Sequence, residues 1–368
     1  RVTLNGTALK LNNGTYAGVV ADGTTAGSLV KVSSGTLTLS GVNTFTGMTS
    51  VNAGTLALSG SGRLASTGIT VANGATMGVA SGAAVPVTAA VTVDGTLSLS
   101  ASAVDLLSLN GASSGLVTLD GTALKLNNGT YAGVVADGTR MGSLVKVSGG
   151  TLTLSGENTF SGTTRVNEGT LWLSGSGRLA STGITVASGA TMGVTSGAAV
   201  PATAAVTVDG TLALSAGAVT LSTLDGASSG LVRLNGTALT VNNGSYAGVV
   251  ADGTGIGSLV KVSGGTLTLS GANTFSGGAS VSAGAVLVGD NKAFGTGTVV
   301  LGGGRISSDG ATARTIANAL TLGGTVILGD MMRNGALRFS GQVSLSGGTT
   351  LSLASDVTMD GGVGGAYS

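Results

Sequence analysis

The segment GTALKLNNGTYAGVVADGT occupies residues 6–24 and recurs without a change at 121–139; at 236–254 it returns as GTALTVNNGSYAGVVADGT. The offset is 115 residues both times, and LSGSGRLASTGITVA (58–72 and 173–187) and TAAVTVDGTL (88–97 and 203–212) keep it. Copies therefore span 1–115, 116–230 and, in part, 231–277, after which 278–368 diverge. A finer beat runs inside each copy: motifs of the form G-x-L-x-L begin at Gly35, Gly54 and Gly95, with looser versions at Gly74 (GATMGV) and Gly115 (GLVTL). Each unit alternates apolar residues with Thr or Ser, as in TLTLS, and ends in Gly, Asn or Asp. Period two reads as strand and the punctuation as turns.

Strands recurring about every 20 residues leave few architectures open. Sandwiches and barrels need no sequence repeat, and propeller blades run to about 40–50 residues. A solenoid does need one, because equivalent strands of successive coils stack about 4.8 Å apart. The fold expected is all-β, a parallel β-helix (β-solenoid) with coils of about 19–20 residues inside a 115-residue super-repeat. Leu37, Leu56, Met77, Leu97 and Val117 then form one internal ladder, and Leu39, Leu58, Val79, Leu99 and Leu119 a second. At that pitch 368 residues make roughly 18 or 19 coils and a rod near 90 Å. The one stretch without clean alternation, ATARTIANALTLG from Ala311, reads as an irregular turn or a short helix.

Composition narrows the function classes. Gly supplies 68 residues but Pro only 2, which excludes collagen and Pro-rich disorder. Apolar residues at 42% against 8% charged ones give the chain enough to bury. The net charge of +1 has no basic stripe, so nucleic acid is not an expected partner. No apolar run reaches about 18 residues, so this segment is not expected to insert into a membrane. Cys and His are both absent, which removes disulfides, thiolate metal sites and the usual general base. Without Cys the chain also suits export. No cofactor or metal is expected.

The residues GTLTLSGxNTFSGxTxVxxGTLxLSG, followed by AGAVLVGDNKAFGTGTVVLGGG (283–304), resemble the passenger-associated transport repeat of bacterial autotransporters, the type V secreted proteins of Gram-negative bacteria. The match is best at 34–60, 149–175 and 264–304. The resemblance implies a right-handed parallel β-helix at or released from the bacterial cell surface, with a repeat that supports translocation. It also implies a signal peptide before residue 1 and a membrane β-barrel after Ser368. It supplies no activity.

Candidate chemistry competes everywhere with a structural reading. GASSG at 111–115 and 226–230 satisfies G-x-S-x-G, but that nucleophile needs a His base, so it reads as loop. Ser28-Leu-Val-Lys31 and its equivalents ending at Lys146 and Lys261 satisfy S-x-x-K; on a strand the two side chains oppose each other, and the lysine reads as solvated at a strand start. Asp22, Asp137, Asp252, Asp94 and Asp209 each precede Gly, the signature of a turn in which the side chain bonds its own backbone. Asp105 and Asp120 have no carboxylate equivalent. The calcium nonapeptide pattern is broken at 361–366, which lacks its Asp. Asn43, Asn158 and Asn273 should turn the chain while Phe45, Phe160 and Phe275 pack at the corner.

The candidates for surface contact are Tyr16, Tyr131 and Tyr246, which follow NNG and are expected half exposed, and Trp172, an outward or edge substitution where the first copy has Ala57. Positions that differ between copies, Glu157, Arg165, Glu168 and Trp172 against Val42, Ser50, Ala53 and Ala57, should face outward. The expected function is a structural or adhesive extracellular stalk without catalysis, meeting a host or neighbouring-cell glycan or protein, or another copy of itself. The alternatives are a spacer carrying an activity located elsewhere in the chain, and a carbohydrate-active β-helix enzyme with paired carboxylates.

Overall fold

A computed structural model describes residues 1–365. Among them there is no helix; parallel strands stack as a β-solenoid of about 18 turns. The contacts cluster into two units, residues 1–182 with 197–199, and residues 183–196 with 200–368.

In the first unit the two ladders read from the sequence are present in register. Leu37 pairs with Leu56, Leu56 with Met77, Met77 with Leu97 and Leu97 with Val117. Leu39, Leu58, Val79, Leu99 and Leu119 follow two residues later. These strands belong to one seven-stranded parallel sheet, from Gly14–Tyr16 to Val134–Asp137. Alternation makes the ladders: in Thr36–Leu39 the leucines are buried while Thr36 is exposed and Thr38 half-buried. A second face stacks Leu29 on Thr49, Thr49 on Ile69 and Ile69 on Val91. On the same face Lys31, Val51, Val71 and Val93 stand in line.

The second unit repeats this plan. Met192, Leu212, Val232 and Val250 form one ladder. Leu259, Ala279, Val299, Leu320, Val343 and Val363 form another, which runs into the divergent part of the chain. The stretch from Ala311 is not helical. It holds the strand Arg314–Ile316 and the start of Leu320–Leu328, joined at Asn318, whose buried amide donates to Gly297 O at 2.6 Å. The turn residue and the neighbouring coils override a weak local helical pattern.

The corners require glycine at defined places. Gly54 has φ +65, and a Cβ there would collide with the carbonyl oxygens of Ser33 and Gly35. Consecutive coils therefore touch backbone to backbone at this corner.

Candidate functional site

Two of the three tyrosines do not lie where the sequence reading put them. Tyr131 and Tyr246 are fully buried, so neither offers a surface contact. The reason is register: Tyr131 pairs with Leu154 and Tyr246 with Leu269, so each ring fills a step of the inner leucine ladder. Glycines make room for the ring. A Cβ on Gly115 would lie 2.7 Å from the Tyr131 hydroxyl and one on Gly133 2.6 Å from it; Gly230 and Gly248 cradle Tyr246 in the same way. GASSG thus supplies a cradle; its loop is held by Asp94, which accepts from Ala112 N at 2.8 Å. Both buried hydroxyls lack a hydrogen-bond partner. Burial raises their pKa far above the usual tyrosine value, with Asp94 and Asp209 adding to the effect. Tyr16 pairs with Leu39 in the coil nearest residue 1 and is half-buried.

Trp172 is half-buried on an outward position opposite Thr153, as expected of a substitution on the outer face. Glu157, Arg165 and Glu168 are exposed, Val42 is exposed, and Ser50, Ala53 and Ala57 are half-buried. The variable positions do face outward.

The lysines overturn their reading as solvated. Lys31, Lys146 and Lys261 are buried, because Ser-Leu-Val-Lys alternates and places Lys on the same side as Leu29. The aliphatic stem lies in the valine ladder and the ammonium reaches the corner carbonyls. Lys31 Nζ donates to Ser33 O in its own coil and to Ala53 O in the next at 3.0 Å. Lys146 Nζ donates to Ser148 O and to Glu168 O at 3.1 Å; Lys261 Nζ donates to Ser263 O and to Ala283 O at 3.3 Å. Desolvation draws all three ammonium groups below the ordinary lysine pKa, opposed at Lys146 by Glu168. The only sequence signal for this clasp was the period-two phase shared with Leu29.

The asparagine corner is as expected and extends further. Asn43 Oδ1 accepts from Val20 N in the preceding coil at 3.0 Å, and its Nδ2 donates to Gly41 O and to Arg63 O in the following coil, both at 3.0 Å. Asn158 repeats the set with Val135 N, Gly156 O and Arg178 O. Phe45, Phe160 and Phe275 are fully buried beside these corners.

The carboxylates bond backbone, but not only that of their own turn. Asp22 Oδ1 closes a loop by accepting from Gly27 N at 2.7 Å, while its Oδ2 accepts from Thr46 N at 2.9 Å and Thr46 Oγ1 at 2.7 Å, one coil on. Those donors, Gly27 first, hold the Asp22 carboxyl below its usual pKa. Asp137 and Asp252 are bonded in the same way to Gly142 and Ser161, and to Gly257 and Ser276. Asp105 pairs with Lys125 at 3.3 Å and Asp120 with Arg140 at 3.5 Å. Further along, Arg314 meets Asp309 at 2.9 Å, and Arg305 meets Asp330. Among the described residues no group of three or more Asp, Glu, His or Cys is placed to hold a metal ion. The calcium-like stretch 361–366 ends outside the described residues. No helix there is long and apolar enough to cross a membrane.

The repeated chemistry thus ties one coil to the next. A family model described as passenger-associated-transport-repeat matches residues 29–58, 144–173 and 259–288. No curated protein and no solved structure matches the chain. Each matched stretch contains one lysine clasp and one asparagine corner, Lys31 with Asn43, Lys146 with Asn158 and Lys261 with Asn273. The chain carries three passenger-associated transport repeats on a parallel β-solenoid, and this fits an autotransporter passenger domain.

Proposed function

We propose that this chain is the structural and adhesive stalk of an autotransporter passenger, displayed on or released from the bacterial surface and without catalysis in this segment. The repeat family supports a secreted or surface-exposed location. One observation supports the structural role: Lys31, Asn43 and Asp22 and their equivalents in the next copies are each engaged in coil-to-coil bonds, which uses them as fastenings. The outward positions are left to meet a host or neighbouring-cell glycan or protein.

The test is retention of cells or immobilised glycans by the purified chain. An adhesive stalk retains them; a chain that retains nothing, and whose parent protein works as well after deletion of residues 116–230, is a spacer. The spacer reading draws on the near-identity of the copies.

A further inference from the structure

Eight asparagines precede glycine in this chain, and the fold treats one of them differently. In Asn-Gly the glycine nitrogen can reach the asparagine side-chain carbonyl carbon, because no Cβ stands in the way. A fold holds that reaction off by pinning the side chain or the glycine amide. Asn5 and Asn235 are pinned at both. Their Oδ1 atoms accept from Thr24 N at 3.0 Å and Thr254 N at 2.9 Å, and the N–H groups of Gly6 and Gly236 donate to Thr25 O and Gly255 O. Asn110 accepts from Thr130 N through Oδ1 and donates to Ser108 Oγ through Nδ2. Asn13, Asn128 and Asn243 precede glycines paired within strands, Gly14 with Leu37, Gly129 with Leu152 and Gly244 with Leu267. After Asn334, Gly335 N donates to Gly310 O at 3.0 Å.

Asn73 and Gly74 are the two central residues of an outward turn, closed by Ala75 N donating to Ala72 O at 2.9 Å. Both are exposed, and among the described residues neither the Asn73 side chain nor the Gly74 N–H has a hydrogen-bond partner. Gly74 has φ +78, and nothing lies within 4 Å of the place a Cβ would take there. The second copy builds the same turn, with Ala190 N donating to Ala187 O at 2.9 Å and Gly189 at φ +80. It has Ser188 where the first copy has Asn73, so the turn does not need the amide.

We propose that Asn73 is a site of spontaneous deamidation, a modification whose only co-reactant is water. Gly74 N gives its proton to solvent and attacks Asn73 Cγ. The N–Cγ bond forms, the Cγ–Nδ2 bond breaks, and the amide nitrogen takes up a proton and leaves as ammonia. Water then opens the cyclic succinimide at either carbonyl, leaving aspartate or isoaspartate. Either product brings the net charge of +1 to zero. Isoaspartate also adds a methylene to the main chain between residues 73 and 74, inside a turn on which the next coil sits. A Cβ on Gly95 of that coil would lie 2.2 Å from Ala72 O and 2.4 Å from Ala75 O, so the two backbones leave no slack for a changed turn. The first copy thus ages at a corner where the second, with serine, does not.

Peptide mapping of the whole chain, incubated in mildly alkaline buffer made with heavy-oxygen water, tests this. Asn73 should convert first, to a mixture of aspartate and isoaspartate carrying the heavy oxygen. Its rate should exceed that of Asn235 about tenfold or more, since the Gly236 amide must first give up its bond to Gly255 O. In urea that unfolds the chain, the two sites should convert at similar rates. Asn73→Ser should remove the fast conversion, and the variant should still fold because Ser188 occupies the equivalent turn. An Asn73 that converts no faster than Asn235 in the folded chain, a difference between them that persists in urea, or a fast conversion that survives Asn73→Ser would overturn the proposal.

Discussion

The ammonium of Lys31 donates to the main-chain carbonyl of Ala53, 22 residues further along and one coil away, at 3.0 Å. A lysine inside a β-solenoid is costly to desolvate, and it persists where corner carbonyls would otherwise face an apolar interior. The clasp recurs at Lys146 and Lys261 with the same two kinds of partner.

Replacing Lys146 by Met keeps the stem and removes the donor. The carbonyls of Ser148 and Glu168 lose that bond, and the unfolding free energy should fall by about 1–3 kcal/mol. Urea unfolding checks this; a Lys125→Met control, at an exposed surface pair, should change it by under about 1 kcal/mol. Equal effects at the two sites would remove the clasp from the account.

Tyr131 and Tyr246 make alkaline stability informative. Their folded pKa values are raised above the ordinary 10.0, so above that pH the unfolded chain ionises while the folded one stays protonated. Through these two groups the folded state then binds more protons, and their contribution to stability falls as pH rises beyond 10.0. The double Tyr131→Phe, Tyr246→Phe variant should lose less stability across that range and be at least as stable at neutral pH, since neither hydroxyl has a partner. Thermal melts at pH 7 and above 10 decide it; identical alkaline losses would show that other groups govern them.

Gly18 and Gly133 occupy equivalent positions with different surroundings. A Cβ on Gly133 would meet both the Gly115 carbonyl and the Tyr131 ring, whereas the nearest atoms to one on Gly18 all belong to Tyr16, which is half-buried and able to move. Gly133→Ala should cost about 1–3 kcal/mol and Gly18→Ala distinctly less. Comparing the midpoints of the two variants in urea is sufficient; a Gly18→Ala loss as large as that of Gly133→Ala would refute the cradle.

Asn158→Ala removes an acceptor for Val135 N and two donated bonds at once. The buried Val135 amide is left unpaired, and a loss of about 2–4 kcal/mol is expected, with amide exchange quickened at Val135 first. Uniform exchange across the repeat would contradict a local stitch.

The fold was legible because the solenoid writes itself as a period. Leu37 and Leu56 could be stacked by counting alone, and Asn43 with Phe45 announced a corner by residue type. What failed was phase within a turn. Set against Ser28 the motif reads Lys31 as solvated, although alternation from Leu29 aims it inward. Tyr131 follows a turn-like Asn-Asn-Gly, yet that stretch is strand, from Ala123 to Tyr131, and the ring belongs to the next step of the ladder.

The clasps have a mechanical consequence. The bonds of Lys31, Asn43 and Asp22 reach one coil forward or back, and their equivalents return every 115 residues. Under tension, resistance along such a chain is uneven. Coils that lack these clasps, although stitched in places by bonds such as Ala112 N to Asp94, should peel at lower force than the clasped corners, so that a chain with one more copy gains one more stop without becoming stronger at any of them.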